Sequence, residues 1–213
     1  MTVIIYTYPP DYLMAGISAR MLTERQGLKV VLAIDQKDPP LACEFATVVR
    51  TTFSRQGNLN GKEFIQGHLR LMADHATGDY TWKLDSDTAL INARRLLSGR
   101  TETVVGLWVK GMSGMNGCAY ALRTADLPAM IEKADALDPA VYHMEDQTTG
   151  NLAMNVGSGH FERWENPSLL YDVYKSDIPI SRYREHKAVV CFEVRHGSDR
   201  RQIARDMKRL YQS

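Results

Sequence analysis

The chain has 213 residues, 44% of them hydrophobic and 24% charged, with a formal net charge of +1. That is the balance of one soluble globular domain, and it excludes a whole-chain bias towards an anionic partner. The three cysteines, Cys43, Cys118 and Cys191, are far apart and form no CxxC pair. They argue against a disulfide framework or a zinc site and for a reducing compartment. No signal-like leader and no stretch approaching a membrane span occurs, so a cytoplasmic protein is expected.

The predicted elements alternate between strand and helix. Val3 to Tyr8 is a short β-rich run closed by Pro9-Pro10. Asp11 then caps a helix to about Gln26, with Leu13, Met14, Ile17 and Met21 near helical spacing and Gly27 as its stop. Lys29 to Ile34 is a second buried-type strand ending at Asp35, and Ala46 to Val49 a third. A helix is expected from Asn60 to Ala76, with Phe64, His68, Leu71, Met72 and His75 on one stripe. Tyr80 to Leu84 reads as a strand that runs straight into Asp85-Ser86-Asp87. Thr88 to Leu97 is expected as a helix, Thr103 to Lys110 and Cys118 to Leu122 as strands. Thr124 caps a helix to about Ala136, and Glu145 to Asn155 forms another. Ala188 to Val194 is a late strand, and Asp199 to Tyr211 a basic amphipathic helix. The alternation predicts one domain with a mostly parallel, doubly wound α/β sheet. Ligands of such sheets bind beyond the carboxyl ends of the strands, here Thr7-Tyr8, Asp35 and Asp85-Asp87.

Asp85 and Asp87 are two carboxylates one residue apart past a buried strand. Hard oxygen ligands in this arrangement suit Mg²⁺ or Mn²⁺, ions that keep positions open for substrate phosphates. The same pair also serves plain turn and N-cap chemistry. Residues 181–213 carry 9 Lys and Arg against 4 Asp and Glu. That tail can form a solvated helix face or a patch for an anionic acceptor.

Four segments, in order, resemble the GT-A glycosyltransferases. Gly78-Asp79-Tyr80-Thr81-Trp82-Lys83-Leu84-Asp85-Ser86-Asp87 resembles that family's strand leading into its DXD motif. Met115-Asn116-Gly117-Cys118-Ala119-Tyr120-Ala121-Leu122-Arg123 is similar to its acceptor-side loop and strand. His143-Met144-Glu145-Asp146-Gln147 resembles its Glu-Asp pair at a helix start, and His196 stands where a histidine often completes the metal site.

The resemblance implies a GT-A-like fold over residues 1 to about 200. It implies transfer of a sugar from a nucleoside diphosphate sugar to a hydroxyl acceptor, aided by Mn²⁺ or Mg²⁺. Asp85, Asp87 and His196 would hold the metal, and Thr7, Tyr8, Asp35, Arg70, Asp85 and Gly117 would bind the donor. Asp146 would be the base of an inverting transfer, with Glu145 beside it. The acceptor class stays open between nucleic acid, such as hydroxylated bases of phage DNA, and a glycan. Each residue also has a structural reading: Glu145 and Asp146 as helix capping, Asp35 as a turn aspartate, Arg70 as a solvated helix residue, His196 as a surface histidine. Two alternatives complete the set. A nucleotidyltransferase making nucleotide sugars is disfavoured because Thr7-Tyr8-Pro9-Pro10-Asp11 replaces a glycine-rich loop. A non-catalytic nucleotide- or DNA-binding module is the other.

Overall fold

The computed structural model describes residues 1–53, 61–108, 115–138, 144–163, 170–194 and 197–212. Five strands and two helices build the first half: β1 (Thr2–Tyr6), α1 (Tyr12–Gln26), β2 (Lys29–Asp35), β3 (Thr47–Thr51), α2 (Gly61–His75), β4 (Tyr80–Asp85) and β5 (Thr88–Leu90). The second half comprises α3 (Ala93–Leu97), β6 (Val104–Trp108), β7 (Met115–Arg123), α4 (Leu127–Ala136), α5 (Glu145–Val156), β8 (Gly159–Arg163), β9 (Tyr171–Val173), α6 (Ile180–His186), β10 (Val189–Cys191) and α7 (Arg200–Gln212).

Seven strands form one sheet in the order β3-β2-β1-β4-β7-β6-β8. Only the pairings of β7 with β4 and β6 are antiparallel, so the mostly parallel expectation holds. Strands β1 and β2 read as continuous apolar runs because both faces are covered. On β1, Val3 and Ile5 pack with Ala15, Ala19 and Leu22 of α1. Ile4 and Tyr6 face the other way, onto Phe64, Ile65 and Leu69 of α2. A smaller sheet, β5-β10-β9, packs with α7 over the first helix, burying Met14, Val190, Met207 and Leu210.

Two expectations are corrected. Thr88 to Leu97 is not one helix: Thr88–Leu90 pairs antiparallel with β10, all three residues buried. The helix starts only after Asn92, whose Oδ1 accepts the Arg95 N–H at 3.0 Å. Short β-pairing thus overrides a weak helical period. Leu13 does not join the core stripe of α1; it is 56% exposed. Strands β8 and β9 and helix α6 were not anticipated; each is short, and its place depends on partners distant in sequence.

The sheet order reverses at β1, which has β2 on one side and β4 on the other. The crevice of a doubly wound sheet opens at such a reversal. Tyr6 and Asp85 end these two strands in register, and that is where the polar residues collect.

Candidate functional site

A cavity of about 400 Å³ lies past the ends of β1 and β4. Its wall includes Lys83, Asp85, Asp87, Gly117, Glu145, Asp146 and Glu193. This volume is in the range of small-molecule sites. Five of the predicted residues, Asp85, Asp87, Gly117, Glu145 and Asp146, are therefore brought together.

Strand alternation sets the first contacts. Residues i and i+2 share a face, so Lys83 and Asp85 point to the same side of β4. Lys83 is buried, 5% exposed. Its Nζ donates to Asp85 Oδ1 at 2.7 Å and to the Gly117 carbonyl, and lies 3.8 Å from Glu145 Oε2. Burial pulls the Lys83 pKa down, but Asp85 and then Glu145 outweigh it and hold the ammonium above its ordinary value.

Glu145 and Asp146 open α5. Gly117, on the antiparallel neighbour of β4, lets that helix start come close: a Cβ at Gly117 would sit 3.2 Å from both Asp146 Cβ and Asp146 Oδ2. Burial raises the pKa of each acid. For Glu145, Lys83 and the Tyr120 hydroxyl pull against that shift. For Asp146, hydrogen bonds from the backbone of Gln147 and then the Lys83 charge do so.

Behind Glu145 runs a buried chain of hydrogen bonds. The Tyr120 hydroxyl donates to Glu145 Oε1 and meets His68 Nε2 at 2.7 Å. His68 Nδ1 meets the Tyr6 hydroxyl at 2.6 Å. Tyr120 spends its only proton on Glu145, so His68 must donate through Nε2–H. Its Nδ1 must then accept from Tyr6. Every group in the chain is satisfied by the neutral imidazole. Burial, with the Lys83 charge second, lowers the His68 pKa to about 3.

The acidic segment is braced from a second direction. Ser86 Oγ donates to Asp11 Oδ2 at 3.1 Å. Arg200, opening α7, donates to Asp11 Oδ1 at 2.8 Å and to the Tyr8 hydroxyl at 2.9 Å. Asp87 Oδ2 accepts the Val194 N–H at 2.8 Å, which ties β4's end to the segment after β10. Within that segment Glu193 takes φ 47°, a left-handed conformation that costs a non-glycine residue energy.

The remaining predicted residues lie elsewhere. Thr7 follows β1 and is 1% exposed, and its Oγ1 has no partner among the described residues. Tyr8 is engaged by Arg200 and is not in the cavity wall. Asp35 closes a turn, its Oδ1 accepting the Lys37 N–H at 2.8 Å. Arg70 does not face the cavity. It makes two bonds to Asp135, at 2.7 and 2.8 Å, because its position on α2 points it at α4. His196 lies outside the described residues.

Carboxylate oxygen is the donor chemistry of a hard divalent cation. Asp85, Asp87 and Glu193 line one cavity; Asp85 Oδ1 accepts from Lys83, and Asp87 and Glu193 have protein partners of their own. Among those residues no group of three His, Cys, Asp or Glu is arranged as a ready metal cluster.

The motif reading did not single out Lys83, His68, Glu193 or the Asp11-Ser86-Arg200 brace. A lysine inside Tyr80-Thr81-Trp82-Lys83-Leu84 and a histidine on an apolar stripe were the available signals. A charge inside a core element needs a partner.

No protein-family model matches this chain, and no curated protein sequence does. Solved structures do match. The galactosyltransferase LgtC, in complex with donor and acceptor sugar analogs, matches at 10% identity and TM-score 0.56, over 97% of this chain and 95% of its own. A glycosyltransferase involved in glycosylation of the major capsid of PBCV-1 matches at 11% and 0.57, over 98% of both. Apo GlyE of Streptococcus pneumoniae TIGR4 matches at 12% and 0.57, over 99% of this chain and 62% of its own. The chain has the GT-A glycosyltransferase fold across nearly its whole length.

Proposed function

We propose that this chain is a glycosyltransferase that takes a sugar from a nucleoside diphosphate donor and passes it to a hydroxyl acceptor. The observation that carries this reading is the meeting of Lys83, Asp85, Asp87, Glu145 and Asp146 in one cavity at the reversal point of a GT-A sheet. Asp85 and Asp87 would hold Mn²⁺ or Mg²⁺, with His196 as the third ligand that the sequence resemblance implies. When bound, such an ion stabilises negative charge on a departing diphosphate.

The protein's own groups do the rest. Lys83 fixes the Asp85 side chain, because its buried ammonium donates to Oδ1 at 2.7 Å. Glu145 is committed to Tyr120 and Lys83, which leaves Asp146 as the carboxylate for proton transfer. Its raised pKa brings it nearer to neutrality, where a general base works best. Asp146 takes the acceptor hydroxyl proton as the new O–C1 bond forms. The C1–O bond to phosphate breaks, and the nucleoside diphosphate leaves with the electron pair. Inversion at C1 is the expected outcome.

For the acceptor, the sequence reading of an anionic molecule has support only at the surface. Arg201, Arg205 and Lys208 line a groove between α1 and α7 together with Arg20. A nucleic acid there would bind with strong salt dependence. A reducing, cytoplasmic setting is the one that an odd number of cysteines, widely spaced in sequence, suits. No described helix is long and apolar enough to cross a membrane.

The test incubates the protein with Mn²⁺ and individual nucleotide sugars and follows release of nucleoside diphosphate. Asp87→Asn is expected to lose donor binding by about 100-fold while the fold survives, the size of a lost charge-assisted grip. Asp146→Asn is expected to keep donor binding and lose transfer by about 10²–10⁴-fold. Unchanged donor affinity in Asp87→Asn would remove the metal assignment. Full transfer in Asp146→Asn, or retention at C1, would remove the base.

A further inference from the structure

A second hollow, of about 330 Å³, lies between α1, α3, α6 and α7, apart from the carboxylate cavity. Three arginines from three helices line it: Arg25 near the end of α1, Arg94 on α3 and Arg184 on α6. No Asp or Glu lines it. Arg94 has one long contact, to the Gln26 carbonyl at 3.4 Å. Arg25 and Arg184 have no ion pair among the described residues. The nearest acids in sequence are turned to other groups: Glu24 pairs with Arg20 at 2.9 Å, and Glu185 lies 3.7 Å from His186.

The accounting of side-chain donors and acceptors in the wall is one-sided. The Gln26 amide is used on both ends, by the Leu90 carbonyl at 2.7 Å and the Ala93 N–H at 3.0 Å. The Tyr211 hydroxyl accepts the Leu90 N–H at 3.1 Å and reaches Ser18 Oγ at 3.5 Å. Asn92 spends its carbonyl on the Arg95 N–H and keeps its NH₂ group. What remains uncommitted is the guanidinium groups of Arg25 and Arg184, most of that of Arg94 and one amide NH₂, all donors on exposed side chains. Water meets these exposed donors in the free protein; a ligand that displaces it must be an acceptor, and three guanidinium charges favour one that carries negative charge. Three guanidinium forks suit the oxygens of a phosphate. Met21, Ile91 and Leu210 supply an apolar floor.

We propose that this hollow is a binding site for a phosphomonoester dianion that carries an apolar group. The phosphate meets Arg25, Arg94, Arg184 and the Asn92 amide, and the organic part lies on the apolar floor. The site is independent of the carboxylate cavity and needs no divalent ion.

The test uses the full chain in EDTA, so that metal-assisted binding near Asp85 is suppressed. Phenyl phosphate and inorganic phosphate are titrated while amide resonances are followed by NMR. Phenyl phosphate is expected to move the Asn92 side-chain amide and to bind about tenfold tighter than inorganic phosphate, from the added apolar contact. A variant with Arg25→Gln, Arg94→Gln and Arg184→Gln is expected to weaken binding by at least about tenfold. A control with Arg201→Gln, Arg205→Gln and Lys208→Gln keeps it, which separates this site from general surface charge. The proposal is overturned if the Asn92 amide does not move at roughly 10 mM phenyl phosphate, weaker than any useful site. Equal affinity in the two triple variants, or shifts centred on Gly117 instead, overturns it as well.

Discussion

Two acidic pairs face each other across the carboxylate cavity, and the fold treats them in opposite ways. Asp85 and Asp87 end a strand; the Asp85 side chain is 32% exposed and holds the Lys83 ammonium at 2.7 Å. Glu145 and Asp146 start a helix; the Glu145 side chain is 10% exposed, with Lys83 at 3.8 Å. Burial raises the pKa of both helix acids. The strand pair lines the cavity with one carboxylate tied to Lys83 and the other to the Val194 N–H. The helix pair is drier, and one member is spent on structure so that the other is placed. Like residue types thus acquire different chemistry through distance from water and from one ammonium.

Removing that ammonium tests the contrast most severely. Lys83→Met leaves Asp85 and Glu145 without their shared cation, and such uncompensated buried charge typically costs about 3–5 kcal/mol. Urea unfolding at neutral pH measures it. A loss under about 1 kcal/mol, the level of a surface pair, would show that Lys83 does not hold the two acids together.

The next test isolates the Glu145 side. The unfolded chain takes up a proton on His68 near 6.5, the native chain only near 3. Between those values the unfolded state binds more protons, so stability falls as pH drops from 6.5 towards 3. About 2 kcal/mol should be lost by pH 5 from this group, at 1.36 kcal/mol per pH unit. The raised carboxyl pKa values of Glu145 and Asp146 act with the opposite sign, adding stability as pH falls through them. His68→Gln retains an acceptor for Tyr6 and a donor for Tyr120 but cannot titrate. The difference in urea stability between wild type and this variant should therefore shift by about 2 kcal/mol from pH 7 to pH 5. A constant difference would show that His68 is not held neutral.

The smallest effect concerns spacing alone. Gly117→Ala places a methyl 3.2 Å from the Asp146 side chain. A cost of about 1–2 kcal/mol follows from overpacking, with transfer falling more than donor binding because Asp146 moves and Asp87 does not. Equal losses in donor affinity and transfer would place Gly117 on the donor side instead.

Much of the fold was legible. Apolar runs at β1, β2 and β4, alternating with helical segments, specify a doubly wound sheet, because period and length are local properties. The ends of those strands pointed to Asp85 and Asp87. The first turn of α5 was legible too, since acids at a helix start have a recognisable pattern. Arg70 could not be placed, because the direction of a helix side chain depends on what packs beside it, here Asp135. The helix read over Thr88 to Leu97 failed for a related reason: β5 exists only because β10, a hundred residues later, pairs with it.

By itself, then, the sequence determined the order of elements from β1 to β4, the acidic strand end and the acidic helix start. Those depend on neighbours within a few residues. Tertiary structure alone decided that Lys83 would join the two acidic pairs and that His68 would be locked between Tyr6 and Tyr120. It also decided that Arg25, Arg94 and Arg184 would meet around one hollow. Those outcomes depend on distances between residues far apart in the chain, and Coulomb energy and hydrogen bonding act on distance.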